Sequence, residues 1–357
     1  MLRQAHRRMS LFAFVMLAAC CILVLSTPLL RAQAPAGAIL SFDEPDAGTA
    51  FGEGTVPVAI NANGVIVGYY IDGTQKHQHG FLRAADGTFT SFDPPGALAT
   101  DPTAISSNGM VVGIYSYFTT GQSLQTAGFL RYANGEILTL NAPGASYAFP
   151  LAINDLGQIT GEAADDNGLH GFIWTEKSRF TLFNVPFSGP ATGGGAINAS
   201  GQIGGGYLDP YIAGRYHAFI RDSAGHFITL DPGVVALVAG VNAINDSGQA
   251  AGSFVDTKRR SHAFITDSAG AVTVLPSMGR IGDYAAGINN AGVVVGFSLN
   301  HFAPKATSFL RDAAGNITTV ALPFTNAENE AVGINAGGQV VGWYIDAGVG
   351  HGWLLQP

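Results

Sequence analysis

The chain has 357 residues, enough for one large domain or two ordinary ones; 12% are charged and 48 are Gly. Scarce Glu, Lys and Arg beside abundant Gly exclude a helical bundle or coiled coil and favour strands joined by tight turns. Formal net charge is −8, and residues 37–357 hold 13 basic against 25 acidic side chains, a balance that argues against nucleic acid as a partner.

Residues 1–36 read as a signal peptide. A basic start (Arg3, Arg7, Arg8) precedes an apolar run from Leu11 to Leu30, and Ala32-Gln33-Ala34 follows as a small-x-small cleavage pattern. Two alternatives stay open. Leu17-Ala18-Ala19-Cys20 has the form of a lipoprotein box that would lipidate Cys20, and the run is long enough to remain as a membrane anchor. All three put the remainder outside the cytoplasm, secreted or periplasmic, or lipid-anchored through Cys20. Both cysteines, Cys20 and Cys21, lie in this segment, so residues 37–357 offer no disulfide, thiolate ligand or thiol nucleophile.

From residue 37 onward one phrase recurs, Ala-Ile-Asn-x-x-Gly-x-Val-Val-Gly. Its Ile stands at 60, 105, 153, 197, 244, 288 and 334, about 46 residues apart, and its closing Gly at 68, 113, 161, 205, 252, 296 and 342. A His-Gly/Ala-Phe phrase follows, with its aromatic at Phe81, Phe129, Phe172, Phe219, Phe264, Phe309 and Trp353. A third, apolar run appears six times and ends near Phe92, Leu140, Phe183, Leu230, Leu275 and Val320. Asx-Gly turns separate these phrases, so each copy predicts four short strands, A to D. Four strands in about 46 residues predict an all-β, seven-bladed β-propeller spanning residues 37–357 as one domain. The seventh strand D is absent at the C-terminus. Ser41-Phe42-Asp43 repeats Ser91-Phe92-Asp93, so the N-terminal strand is expected to fill that place and close the ring.

The pairing of Ala-Ile-Asn-x-x-Gly-x-Val-Val-Gly with His-Ala-Phe-Ile, at 217–220 and 262–265, resembles the HAF-repeat family of extracellular repeat proteins. The resemblance covers residues 37–357 and implies export and a repeat architecture, with no activity or cofactor to carry over. Ser106, Ala127-Gly128, Thr307-Ser308 and Trp353 depart from the pattern.

No catalytic or metal motif stands out. His79, His170, His217, His262 and His351 share one slot in different copies and read as strand-orienting hydrogen-bond formers; His-x-x-x-His and Gly-x-Ser-x-Gly are absent. No cofactor is implied. One recurrence suggests a site. Two residues after the strand B Gly stands an aromatic, Tyr70, Tyr115, Tyr207, Phe254 or Tyr344. Four after it stands Asp72, Asp165, Asp209, Asp256, Asn300 or Asp346. Aromatic plus carboxylate suits sugar binding; equally, the ring packs inside the fold and the Asp starts a turn. The leading expectation is an exported, monomeric, non-enzymatic binding module for a glycan or envelope protein. An extracellular polysaccharide enzyme is the alternative, using acids such as Glu53, Asp101, Asp283 or Glu328, and a structural docking propeller is another. Glu162, Asp165 and Asp166 in the third copy and the Glu328–Glu330 segment break the repetition locally.

Overall fold

A computed structural model describes residues 37–300, 306–325 and 327–357; the signal segment expected at 1–36, with Cys20, lies outside them. Among the described residues there is no helix, and none is long and apolar enough to cross a membrane. Strand β1 (Ile39–Phe42) comes first. Repeat 1 holds β2 (Gly54–Ile60), β3 (Ile66–Ile71), β4 (Gln78–Arg83) and β5 (Phe89–Phe92). Repeat 2 holds β6 (Ala97–Ile105), β7 (Val111–Phe118), β8 (Leu124–Arg131) and β9 (Ile137–Leu140). Repeat 3 holds β10 (Tyr147–Ile153), β11 (Ile159–Asp165), β12 (Gly168–Thr175) and β13 (Arg179–Phe183). Repeat 4 holds β14 (Thr192–Ile197), β15 (Ile203–Leu208), β16 (Tyr216–Arg221) and β17 (Phe227–Leu230). Repeat 5 holds β18 (Ala236–Ile244), β19 (Ala250–Asp256), β20 (Ser261–Thr266) and β21 (Val272–Val274). Repeat 6 holds β22 (Gly282–Ile288), β23 (Val294–Leu299), β24 (Ala306–Arg311) and β25 (Ile317–Thr319). Repeat 7 holds β26 (Asn329–Ile334), β27 (Val340–Asp346) and β28 (Val349–Leu355).

Within each repeat the strands pair antiparallel in chain order, and β1 pairs antiparallel with β28, Ile39 opposite Leu355. Short parallel contacts join neighbouring repeats, as at Gly54 with Gly350 and Ser261 with Gly282. The first strand of each repeat touches the first strand of the next, and β26 touches β2. Antiparallel order puts all A–B and C–D turns on one face and all B–C and D–A connections on the other.

The repeated phrases have direct physical causes. The strand B Gly sits opposite the strand C aromatic, Gly205 opposite Phe219 for example. A Cβ at Gly205 would enter both the Gly193 carbonyl oxygen and the Phe219 ring, and the other six copies are equally tight. Phe81, Phe129, Phe172, Phe219, Phe309 and Trp353 are thereby fully buried, each worth about 2–3 kcal/mol of transfer free energy. Every first strand carries a β-bulge at the same place, such as Pro57/Ala59 in β2 and Gly194/Ala196 in β14. Pro57, Pro102 and Pro150 stand beside it, on strands whose other edge needs no amide in the ladder.

The Asn of Ala-Ile-Asn serves two purposes. Asn245 accepts the Ser247 and Gln249 amides on Oδ1, closing its own turn, and donates from Nδ2 to the Asn289 carbonyl of the next repeat at 3.0 Å. The same outward donation runs from Asn61 to Ser106, Asn154 to Asn198, Asn198 to Asn245 and Asn289 to Asn335. Asn335 then donates to the Asn61 carbonyl. Repeat 2 has Ser106 instead, too short to reach Asn154. There Asp155 spans the gap, accepting from the Ser107 amide at 2.6 Å and from Asn108 Nδ2 at its carbonyl.

Candidate functional site

Two sets of side chains compete for the role of site, and they lie on opposite faces of the same strands. The first is the recurring aromatic and Asp. Tyr70, Phe254 and Tyr344 lie directly opposite the strand C histidines, and so does Tyr207. Their rings stack on them at centroid distances of 5.1 Å for Tyr70–His79, 5.2 Å for Tyr207–His217, 5.0 Å for Phe254–His262 and 4.9 Å for Tyr344–His351. In repeat 2, where the His is missing, Tyr115 stacks on Tyr117. The tyrosine hydroxyls continue to strand D, bonding Ser91, Thr139, Thr229 and Ser41 for Tyr70, Tyr115, Tyr207 and Tyr344. Tyr70, Tyr115, Phe254 and Tyr344 are buried and Tyr207 is half-buried.

The carboxylates complete this clasp. His217 Nε2 donates to Asp209 at 2.8 Å, His262 Nε2 to Asp256 at 3.0 Å and His170 Nε2 to Asp165 at 2.9 Å. His79 faces Asp93 through Nδ1 at 2.6 Å and Asp72 through Nε2 at 3.4 Å, while His351 meets Asp43. The same carboxylates receive turn amides, Gln75 on Asp72 and Lys258 with Arg260 on Asp256. Burial opposes a charged His79, yet Asp93 and Asp72 outweigh it and raise its pKa. The His217 bond and the Tyr211 and Ile212 amides hold Asp209 down at about 2. Asp346 stays exposed in the tight β27–β28 turn, and Asn300 accepts the Arg280 amide. The histidines do what their shared slot predicts; the aromatics cover them in repeats 1, 4, 5 and 7, and in repeat 3 Ala163 stands opposite His170.

The second set begins one residue earlier on strand B, on the opposite face because strand side chains alternate. Each of these residues is paired with the one four before the repeated Ile. The rungs are Val56–Tyr69, Asp101–Ile114, Phe149–Glu162, Gly193–Gly206, Gly240–Ser253, Tyr284–Phe297 and Glu330–Trp343. Where the clasp repeats nearly the same residues, this layer differs in every copy. Identical side chains are what a repeated packing contact requires; differing ones free a position to read a ligand.

The layer is deep but reachable: Asp101, Tyr69, Phe297, Glu330 and Trp343 are half-buried, while Glu162 and Phe149 are buried. Burial pushes the Asp101 carboxyl up to about 7. Glu330 is also pushed up to about 7, by burial and then by the negative charge of Glu328. Burial raises Tyr69, and the Asp101 charge adds to it. Tyr147 and Tyr216 are raised by burial and then by the charge of Glu162. Tyr147 stacks on Phe149 at 4.3 Å and Tyr284 on Phe297 at 5.0 Å, so the layer carries aromatic faces and carboxyls in repeats 1–3, 6 and 7 and only Gly and Ser in repeats 4 and 5. Carboxyls that titrate near neutrality can donate as well as accept, and they concentrate at functional sites.

The other acids named from sequence hold the backbone. Glu53 accepts the Ala50 amide and faces Lys76, and Asp283 receives the Met278 and Gly279 amides and the Ser277 hydroxyl. Sequence reasoning named Asp101 among the candidate enzyme acids and placed Glu162 and Glu330 in segments that break the repetition, but it missed Tyr69, Phe297 and Trp343. The signal available was the contrast between the invariant and variable positions flanking each strand B Gly. Among the described residues no group of three or more His, Cys, Asp or Glu side chains is placed to hold a metal ion. An open pocket of about 400 Å³ lies beside His170, lined by Asn184, Pro186 and Phe187, on the face of the B–C and D–A connections.

No protein-family model and no curated protein matches the chain. Solved structures do. A streptogramin B lyase is 14% identical, with a TM-score of 0.56 and coverage of 89% of this chain and 98% of that one. A catalytically inactive virginiamycin B lyase from Staphylococcus aureus, solved with quinupristin, is 13% identical with a TM-score of 0.54 and covers 90% of this chain and 99% of its own. The β-propeller domain of the Trilobed protease from Pyrococcus furiosus is 11% identical with a TM-score of 0.55, covering 86% and 96%. At these identities the likeness is one of fold. The chain is an all-β protein of the β-propeller kind.

Proposed function

We propose that the chain is a seven-bladed propeller with four strands per blade, closed by β1 against β28, and that it acts as a non-catalytic binding module. The hydrogen bond from Asn335 to Asn61 and the contact of β26 with β2 support the closed ring. In that ring the variable layer encircles the axis and is the binding site. Its ligand is a hydroxyl-rich chain such as a glycan segment, met outside the cytoplasm by a monomeric protein of the HAF-repeat kind.

The observation that carries this reading is the pairing of near-neutral carboxyls with reachable aromatic rings, Glu330 beside Trp343 and Asp101 near Tyr69. Sugar rings stack on the aromatic faces, and a carboxyl that titrates near 7 both gives and takes hydroxyl hydrogen bonds. The Tyr70, Tyr115, Tyr207, Phe254 and Tyr344 rings, with Asp72, Asp209 and Asp256, keep the blades rigid beneath it.

The test is a thermal-shift and calorimetric screen of soluble oligosaccharides. A ligand at a hundredfold excess over its Kd stabilises the native state by about 2.7 kcal/mol. Trp343→Ala and Glu330→Gln are expected to abolish the shift, while Tyr211→Ala on a distant loop leaves it. A shift that survives both layer substitutions, or none with any sugar, sinks the reading. A second reading rests on the same two carboxyls, whose values suit general acid–base cleavage of a polysaccharide. Release of new chain ends, lost in Asp101→Asn and Glu330→Gln with binding retained, would favour it.

A further inference from the structure

The basic side chains of this acidic chain are unevenly placed. Arg83, Arg131 and Arg221, near the C–D turns, lie over Phe42, Phe92 and Phe183 at about 5 Å and are spent on packing. Five others, Arg215, Lys258, Arg259, Arg260 and Arg280, come from consecutive B–C and D–A connections of repeats 4 to 6. Lys258, Arg259, Arg260 and Arg280 are exposed. Arg259 holds this position at φ 62°, a left-handed conformation that glycine would adopt more easily.

The same connections present apolar side chains to water. Tyr211 is 92% exposed, and Ile212, Val234, Val235 and Leu237 are exposed beside it. The opposite face has little of this kind: among the described residues Leu156 is the exposed large hydrophobic on its turns. The segments form one surface. Arg215 Nε donates to the Ala236 carbonyl at 3.0 Å, Ala236 pairs with Asp256, and Ser261, next to Arg260, pairs with Gly282 beyond Arg280. Three acids share these loops; Asp209 and Asp256 are turned inward, while Asp231 is exposed. Asp209 takes the Tyr211 and Ile212 amides and His217, Asp231 takes the Gly233 amide, and Asp256 takes the Lys258 and Arg260 amides and His262.

We propose that this surface docks on an anionic lipid bilayer, with Tyr211, Ile212, Val234, Val235 and Leu237 entering the headgroup region and the five cationic groups meeting lipid phosphates. Charge complementarity selects an anionic partner, and the apolar residues select the lipid. An anionic polymer in water would engage the bases and leave those five side chains hydrated, whereas a bilayer interface rewards both. The proposal is independent of the central layer.

The test is co-sedimentation of the full chain with vesicles of phosphatidylcholine, alone or mixed with phosphatidylglycerol. Residues 1–36 are present throughout, so differences between variants report on the loops. Partitioning is expected to be about tenfold or more higher on anionic vesicles and to fall as salt is raised. The triple substitution Lys258→Glu, Arg259→Glu, Arg260→Glu should abolish that preference, and Val234→Ser with Val235→Ser should weaken it severalfold, with thermal melts unchanged. Equal binding to neutral and anionic vesicles, or a preference that survives the triple substitution, overturns the proposal. So does a preference unaffected by the serine pair; dextran sulfate binding lost in the triple variant would then identify an anionic polymer as the partner.

Discussion

Replacing Asp101 by Asn is the most direct probe of the central layer. Burial moves this carboxyl from its usual 3.8 to about 7, because the charged form loses water among the strands around β6. The native state therefore holds a proton that the unfolded chain has released between about pH 4 and pH 7, so stability falls as pH rises across that window. Three pKa steps at 1.36 kcal/mol each put the cost at about 4 kcal/mol above neutrality, an upper figure since a half-buried side chain keeps some water. Asn has nearly the same shape and no charge to desolvate. Asp101→Asn should therefore match the parent chain near pH 4 and melt higher near pH 8, by about 4–8 °C at roughly 2 °C per kcal/mol for a domain of this size. Differential scanning calorimetry at both pH values reads this directly. An equal shift at the two pH values, or a lower melting temperature near pH 8, would refute the argument that desolvation of this carboxyl opposes folding.

Four other substitutions bear on the framework. Gly205→Ala should cost about 3 kcal/mol or more in chemical denaturation, since its Cβ meets the Gly193 carbonyl and the Phe219 ring; a loss under about 1 kcal/mol would mean the strands part easily. Ser106→Asn supplies the amide that repeat 2 lacks and should stabilise by about 0.5–1.5 kcal/mol. Asn245→Ala, which takes one of the two donors from the buried Asn289 carbonyl and leaves two turn amides without their acceptor, should cost about 1–3 kcal/mol; the same sign for both would contradict the bridging role. His79→Gln should destabilise most below about pH 6.5, because the benefit of the charged ring is complete there and is lost as pH rises through its raised value; a loss independent of pH would mean that stacking on Tyr70 alone matters.

The repeats and strands were legible because their chemistry is local. The turn made by Asn245 to Gly248, the Gly of strand B and the apolar strand C need only their immediate neighbours to be recognised. The pairing of β1 with β28 was legible too, from Ser41-Phe42-Asp43 and the missing last strand. The recurrence of Tyr70 with Asp72 was equally visible, but not its use. Whether a recurring ring faces water depends on its partner across the sheet, here His79, and on whether its hydroxyl reaches strand D beyond it, here Ser91. The two amide bonds of Asn245 show the same division. The one within the turn follows from spacing, while the one to Asn289 needs the next repeat to arrive at the right distance.

By itself, then, the sequence determined an all-β chain of seven similar units, their turns, and the glycines and aromatics that let strands B and C approach. Only the tertiary structure decided which face of each strand turns inward. A bulge in every first strand and the alternation of side chains separate Tyr69 from Tyr70 and place Asp101 and Glu330 at equivalent rungs of different repeats. It also decided their protonation, since a carboxyl takes its ordinary pKa in an unfolded chain and a raised one only where distant strands exclude its water.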